Sequence, residues 1–159
     1  GDADITAVMD TWYAGGTEVV FACGGGIYTS AVDAAKKANA KVIGVDVDQA
    51  GVIAGYAGVE GMTVTSAMKG LSDAAEWAIA KVYDGTFSEI GGVKTALGVT
   101  ENAVGLPTAT WSMENFSVAD YEDLFQKVLN GDITIDNNSE MANPAEGGLT
   151  NVNVNYIGG

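Results

Sequence analysis

A glycine turn and a carboxylate, each following an apolar segment, are the features of this sequence best suited to binding a ligand. Three consecutive glycines at positions 24–26 follow residues 19–22, and Asp46 follows residues 41–45. Glycines allow the backbone to approach a ligand closely, and a carboxylate can accept hydrogen bonds from two adjacent sugar hydroxyls. Asp46 lies 22 residues after Gly24, close to the spacing of about 20 at which an acidic residue meets a ribose in a βαβ unit.

Both features also have explanations that need no ligand. The glycines suit an ordinary strand-to-helix turn that requires a positive φ angle. Thr29 stands where the dinucleotide fingerprint G-x-G-x-x-G has its last glycine, which weakens dinucleotide binding. Asp46 could cap a polar loop, although its position directly after an uninterrupted apolar strand favours a binding role. The glycine turn alone does not choose between the two explanations.

Lys69 is the third candidate for ligand binding. The sequence predicts a short strand over residues 62–65 and then a helix capped by Thr65 or Ser66, which places Lys69 in the first helical turn. Because a cation there opposes the helix dipole, helix propensity does not explain it. A ribose hydroxyl, a base nitrogen or the Asp46 carboxylate could be its partner, and the alternative is a solvated lysine.

The composition excludes several classes of function. The 159 residues include 7 basic and 21 acidic side chains and carry a formal charge of −14, which repels nucleic acid and anionic membranes. Without histidine, Ser-His-Asp and Cys-His catalysis and histidine-ligated metals are excluded. The single cysteine, Cys23, permits no disulfide within the chain and is predicted to be a small buried residue. We therefore expect no catalytic residue, no metal and no cofactor.

Apolar periodicity predicts an α/β fold with a parallel sheet. Helices are predicted where apolar residues recur at helical spacing, over residues 4–12, 29–38 with Thr29 or Ser30 as its cap, about 65–83, and after a capping box at Ser117 and Asp120. Buried strands are predicted over residues 19–22, 41–45 and 62–65, with a hairpin of residues 95–99 and 103–106. Residues 52–61 are predicted to be mostly loop, and residues from 137 onward an irregular tail.

Five motifs occur in a recognisable order before a last helix that ends in LNGDI. They are GTEVVFACGGG, KVIGVDVDQ, MTVTSAMKG, VYDGTF and TALGVTENAVGLP. Over roughly residues 15–135 the chain resembles the basic membrane protein family of substrate-binding lipoproteins, whose best-understood members are purine nucleoside receptors of ABC importers. The resemblance implies part of a type I periplasmic-binding-protein fold, a three-layer αβα architecture that holds its ligand in a cleft between two lobes.

The resemblance also implies roles for particular residues and partners. Asp46 would bind ribose hydroxyls, Lys69 would add a polar contact, Gly24 and Gly25 would form one wall of the cleft, and Gly44 would leave room beside the sugar. An ABC permease would be the partner of the intact protein. Its location would be extracytoplasmic, either lipid-anchored at the cell surface or in the periplasm.

The same resemblance predicts how the chain is divided. Residues 1–69 correspond to most of the C-terminal ligand-binding lobe, residues 70–116 to a helix and strands that belong with the N-terminal lobe, and residues 117–159 to a terminal helix and tail. The chain opens on a helix without a preceding strand, so we expect a missing upstream part and weak binding by the isolated chain. To cover its exposed edges, we expect the chain either to rearrange or to exchange elements between copies.

Two other functions share some of these features. A Rossmann-like nucleotide-dependent enzyme would have the same βαβ crevice and ribose-type carboxylate. The broken glycine fingerprint and the lack of histidine disfavour it. A ligand-sensing regulator on the same fold would need a DNA-binding or signalling module, and the sequence shows none.

Overall fold

Apolar segments separated by turns give a succession of helices and strands. The computed structural model of the chain describes residues 1–136 and 148–157. The helices are α1 Ala3–Ala14, α2 Tyr28–Ala38, α3 Ala50–Ala57, α4 Leu71–Tyr83 and α5 Val118–Leu129. The strands are β1 Val19–Phe21, β2 Lys41–Asp46, β3 Thr63–Lys69 and β4 Val104–Gly105. Short 3₁₀ helices lie at Gly25–Ile27 and Phe87–Glu89.

The strands form one sheet in the order β1-β2-β3-β4. β1, β2 and β3 are parallel, and at the end of β2 Asp46 lies opposite Met68. β4 runs antiparallel to β3 and places Val104 opposite Lys69. The predicted α/β fold is confirmed, with the difference that β4 makes the sheet mixed instead of wholly parallel.

The core lies between one face of the sheet and helices α1, α2 and α3. Val20 of β1 and Val42 of β2 are 7% and 1% exposed and belong to this core. The helices bury apolar side chains against them: Met9, Tyr13, Ala31, Val32, Ala34, Ala35, Ile53 and Ala57. On the alternate positions of β1, Val19 and Phe21 are exposed. β1 is therefore buried on one face only, and the prediction of a buried strand holds for that face.

A side-chain cap marks the start of α5 but not that of α2. The predicted capping box of α5 is confirmed, and hydrogen bonds from Ser117 lower the pKa of Asp120. The predicted cap of α2 by Thr29 or Ser30 is wrong, because α2 continues directly from a 3₁₀ helix without a side-chain cap. Ser30 is instead buried and accepts a hydrogen bond from the Asp2 N–H at 2.9 Å, which links α2 to α1.

The prediction of a loop over residues 52–61 is wrong. The structure has α3 at Ala50–Ala57, followed by Gly58 in the left-handed conformation with φ 70°. Ile53 and Ala57 are buried in the core. Burial of this face outweighs the low helix propensity of the glycines within the segment.

The predicted hairpin of residues 95–99 and 103–106 is also wrong. Residues 95–99 form no strand, and residues 100–102 form a turn. β4 pairs with β3 instead of with residues 95–99. The Gly70 N–H donates to the Ala103 carbonyl at 2.9 Å, which extends this contact beyond the end of β3.

The predicted irregular tail lies partly outside the described residues, at 137–147 and 158–159. Residues 148–157 contain no helix or strand. Within the described part of the chain, no helix combines the length and the hydropathy required to cross a membrane.

Replacing Tyr13 with Phe is expected to destabilise the fold and to change its response to alkali. The Tyr13 hydroxyl donates to the Lys41 carbonyl at 2.8 Å, and its loss should cost about 1 kcal/mol at neutral pH. Burial raises the pKa of Tyr13 from 10.0 to about 12. Because the folded pKa exceeds the unfolded one, the stabilisation is complete below pH 10.0 and is lost as the pH rises through about 12.

Urea unfolding at neutral pH and near the raised pKa would measure both effects. The Phe variant should lose less stability between the two conditions than the unchanged chain, since it has no phenol to ionise. Tyr83→Phe is the control, because Tyr83 is 86% exposed. An equal alkaline decline in the Tyr13 variant and the unchanged chain would contradict the prediction.

Candidate functional site

The carboxyl ends of β2 and β3 bring Asp46 and Lys69 together. The ends of adjacent parallel strands meet at one edge of a sheet, and these residues are the last of their strands. Lys69 Nζ lies 2.7 Å from Asp46 Oδ1, and the lysine and aspartate side chains are 59% and 35% exposed. The hydrogen bond and the charge of Asp46 raise the pKa of Lys69. The Asp46 carboxylate, one of the three partners predicted for Lys69, is therefore the one it contacts.

Lys69 lies on a strand and not in the first turn of a helix. α4 begins at Leu71, after Gly70, because β3 continues to pair with β2 as far as Met68. The predicted start of that helix at Thr65 or Ser66 is therefore wrong. The helix dipole does not bear on Lys69, and the ion pair accounts for its position.

Asp46 has an uncommon backbone conformation. Its φ angle is 71°, a left-handed value that few residues other than glycine adopt. The Val47 N–H donates to the Val45 carbonyl at 2.9 Å, so Asp46 is the central residue of a three-residue γ-turn. A γ-turn with a positive central φ is rare and strained, and strained residues of this kind concentrate at binding and catalytic sites.

Gln49 and Ser66 support the backbone beside Asp46. Gln49 Oε1 accepts a hydrogen bond from the Val45 N–H at 2.9 Å, and the Gln49 N–H donates to Ser66 Oγ at 3.1 Å. A Cβ at Gly44 would lie 2.6 Å from Ser66 Oγ and 2.9 Å from Gln49 Oε1. Packing within the chain therefore accounts for glycine at position 44, and a ligand contact there stays a prediction.

Two open hollows border the ion pair. The first, of about 440 Å³, is lined by Asp46 and Lys69 together with residues of β4 and α5. The second, of about 360 Å³, is almost entirely apolar apart from Lys69 and is lined by Phe21, Cys23 and Val45 among others. The ion pair thus stands beside one hollow that carries further carboxylates and one that is apolar. A larger cavity, of about 760 Å³, lies at α1 and α2, away from this edge of the sheet.

The segment between β4 and α5 closes one side of the first hollow. The Leu106 N–H donates to the Tyr121 hydroxyl at 2.9 Å. Thr110 Oγ1 donates to Asp48 Oδ2 at 2.8 Å, and Asp48 Oδ1 accepts from the Ala50 N–H at 3.1 Å. The Asp48 carboxylate therefore bonds both the first N–H of α3 and Thr110, and so ties this wall to the start of α3.

The glycine turn lies next to the apolar hollow without lining it. Gly25 has φ 47°, so the turn requires glycine there for conformational reasons. Gly24 is extended, with φ 175°. Neither residue lines the two hollows, and contact of Gly24 and Gly25 with a ligand stays a prediction. Cys23 is exposed, contrary to the predicted burial, because the chain leaves the sheet after Phe21.

Comparison with known proteins shows which family the chain comes from. The profile of the Bmp family, described as ABC transporter substrate-binding protein PnrA-like, matches residues 3–139. The chain belongs to the Bmp family.

Two curated relatives of this Bmp chain are both named CD4+ T-cell-stimulating antigen. They come from Listeria monocytogenes serovar 1/2a and Listeria innocua serovar 6a and are 31% and 30% identical to it over 138 residues. Each match covers 80% of this chain and 38% of the relative. The Bmp chain therefore spans less than half the length of these relatives.

Membership of the Bmp family confirms the resemblance inferred from the motifs. The mixed sheet flanked by helices is part of a type I periplasmic-binding-protein-like fold, and the family supports a solute-binding role. Because Bmp proteins are substrate-binding proteins, the match argues against a Rossmann-like enzyme. In residues 1–136 and 148–157, no group of three or more His, Cys, Asp or Glu side chains is arranged to hold a metal ion.

The motifs indicated Asp46 and Lys69 as candidates but gave no indication that Gln49 and Ser66 support them. Both polar residues are nearly or fully buried, at 8% and 0% exposure. The available signal was a glutamine three residues after the end of a strand, since a buried amide requires hydrogen-bond partners. The side-chain amide of Gln49 accepts from the nearby Val45 N–H, whereas the backbone N–H of Gln49 donates to Ser66, 17 residues further along the chain. Only the second pairing depends on the sheet register.

Proposed function

We propose that this chain supplies part of the ligand-binding cleft of an ABC importer's substrate-binding protein, and that its ligand is a nucleoside. The observation that carries the proposal is the ion pair of Asp46 and Lys69 at the edge of two open hollows. Family membership supports capture of a solute. The nucleoside follows from the resemblance stated above, and a carboxylate beside apolar space is consistent with it.

The two groups of the ion pair would divide the recognition between them. Lys69 holds Asp46 Oδ1 at 2.7 Å, which fixes the carboxylate and leaves Oδ2 to accept hydrogen bonds from ribose hydroxyls. Hydrogen bonds to a charged acceptor are stronger than neutral ones. The apolar hollow beside Lys69 would take the flat face of the base. The protein would bind and release the ligand without chemical change.

The remaining parts of the proposal concern the intact protein. An ABC permease would receive the ligand, and the protein would act outside the cytoplasmic membrane, held by a lipid anchor or free in the periplasm. Residues 70–116 would belong with the N-terminal lobe, and side chains of that lobe would complete the cleft. Exchange of elements between copies remains one way in which a shorter chain could cover its exposed edges.

Calorimetry with adenosine, 2′-deoxyadenosine and adenine would test the proposal. The protein should be expressed from the complete reading frame that contains these residues, with the 159-residue chain in parallel. We expect adenosine to bind about tenfold or more tightly than 2′-deoxyadenosine, because the deoxy compound leaves a charged acceptor without its partner. Equal affinity for the two nucleosides would contradict binding through the ribose. Conversion of adenosine or NAD, detected by mass spectrometry, would instead favour an enzyme.

A further inference from the structure

We propose that Gln49 and Ser66 are positioning residues that hold the Asp46 carboxylate in its binding conformation. The inference rests on the proposed function, since Asp46 is the ligand-binding group there. Neither residue lines the two hollows beside the ion pair. They would therefore act on binding through the backbone at Val45 and not through contact with the ligand.

Hydrogen bonds to Val45 hold the backbone that leads into Asp46. β1 pairs with β2 only as far as Ile43, so the Val45 N–H lies beyond the reach of that strand. Gln49 Oε1 takes the place of the strand and accepts from the Val45 N–H at 2.9 Å. The Val45 carbonyl accepts from the Val47 N–H at 2.9 Å. Both polar groups of Val45 are thus bonded, and together they fix the turn in which Asp46 has φ 71°.

A hydrogen bond also links this turn to the neighbouring strand β3. The Gln49 N–H donates to Ser66 Oγ at 3.1 Å, and Ser66 lies on β3, which ends in Lys69. The same network therefore connects the strand that ends in Asp46 to the strand that carries its ion-pair partner. Gly44 lies against both supporting side chains, with no room for a Cβ, so the network has little freedom to shift.

The two supporting residues, Gln49 and Ser66, are polar and yet buried. Gln49 and Ser66 are 8% and 0% exposed, and burial of polar groups is unfavourable unless they are hydrogen-bonded. An apolar side chain at position 49 would fill the space but leave the Val45 N–H without a partner. A left-handed Asp46 would then lose the contact that offsets its strain. The buried glutamine is thus explained by the conformation it imposes on its neighbour.

The variant Gln49→Met tests the proposal by two measurements. The first, which needs no ligand, is an NMR titration of the Lys69 side chain, whose pKa Asp46 raises in the unchanged chain. If Asp46 moves, the pKa of Lys69 should fall toward its ordinary value. The second is the preference for adenosine over 2′-deoxyadenosine, about tenfold or more in the unchanged protein, which should be largely lost.

Matched variants separate positioning from general stability. Gln126→Met makes the same change at an exposed glutamine of α5 and should alter neither measurement. Ser66→Ala, with exposed Ser72→Ala as its control, serves if Gln49→Met does not fold. Unchanged Lys69 pKa in folded Gln49→Met would overturn the proposal. If the unchanged protein binds no nucleoside, the proposed function fails and the Lys69 titration alone decides the positioning role.

Discussion

Asp46→Asn should weaken the binding of adenosine by roughly ten- to hundredfold, as measured by calorimetry on the protein from the complete reading frame. The amide keeps the size of the side chain, and asparagine tolerates the positive φ of 71° at this position. The change therefore removes the charge that strengthens hydrogen bonds from ribose hydroxyls and attracts Lys69. Asp46→Ala should cost about 2 kcal/mol or more, because it also removes the acceptor.

A second ion pair of the chain provides the control for this experiment. Asp10 Oδ2 lies 2.6 Å from Lys37 Nζ, and the aspartate and lysine side chains are 35% and 61% exposed, almost the same as in the pair of Asp46 and Lys69. Exposed pairs contribute about 0–1 kcal/mol to stability, so both Asn variants should unfold near the temperature of the unchanged protein. Asp10→Asn should leave affinity unchanged. Unchanged affinity in Asp46→Asn would remove Asp46 from the site.

The proximity of Asp46 and Lys69 could be predicted from the sequence, because both residues lie at the ends of neighbouring parallel strands. Parallel strands in a βαβ succession finish at one edge, so residues just after two such strands meet whatever the details between them. The sequence did not predict that Lys69 lies on a strand instead of a helix. Thr65 and Ser66 are good helix caps by type, but pairing of β3 with β2 extends to Met68, and this long-range pairing outweighs the local preference.

The hydrogen bonds that support Asp46 could not be predicted from the sequence, because they also depend on tertiary structure. The residue type at position 46 does not predict its left-handed φ, because aspartate adopts that region only when its surroundings impose it. The hydrogen bond from the Gln49 N–H to Ser66 Oγ depends on the register of β3, so the sequence gives no evident partner for the Ser66 hydroxyl. The helix α3 was missed because burial of Ile53, and not propensity, stabilises it. Sequence patterns thus predicted the ion pair at the strand ends better than the residues that support it.

Gly70→Ala is expected to be the most destabilising of the changes considered, at about 3 kcal/mol. The φ of Gly70 is −74°, so its conformation is open to any residue and the cause is steric. A Cβ would lie 2.1 Å from the Asn102 carbonyl oxygen and 2.9 Å from the Ala103 Cα. Because these are backbone atoms, the segment must move and break the hydrogen bond of the Gly70 N–H to the Ala103 carbonyl. Thermal unfolding should show a midpoint lower by roughly 6–12 °C.

The same substitution at Gly55 should have the opposite sign. A Cβ at Gly55 would meet no atom within 4 Å, and Gly55 lies inside α3, where alanine stabilises a helix by about 0.5–1 kcal/mol relative to glycine. Displacement of residues 102–105 in Gly70→Ala would also move Val104 away from Lys69, its partner in the β3–β4 pairing. Adenosine affinity should therefore fall in Gly70→Ala and stay unchanged in Gly55→Ala. Equal midpoints for the two variants would show that the close contact between Gly70 and the Asn102 backbone does not stabilise the fold.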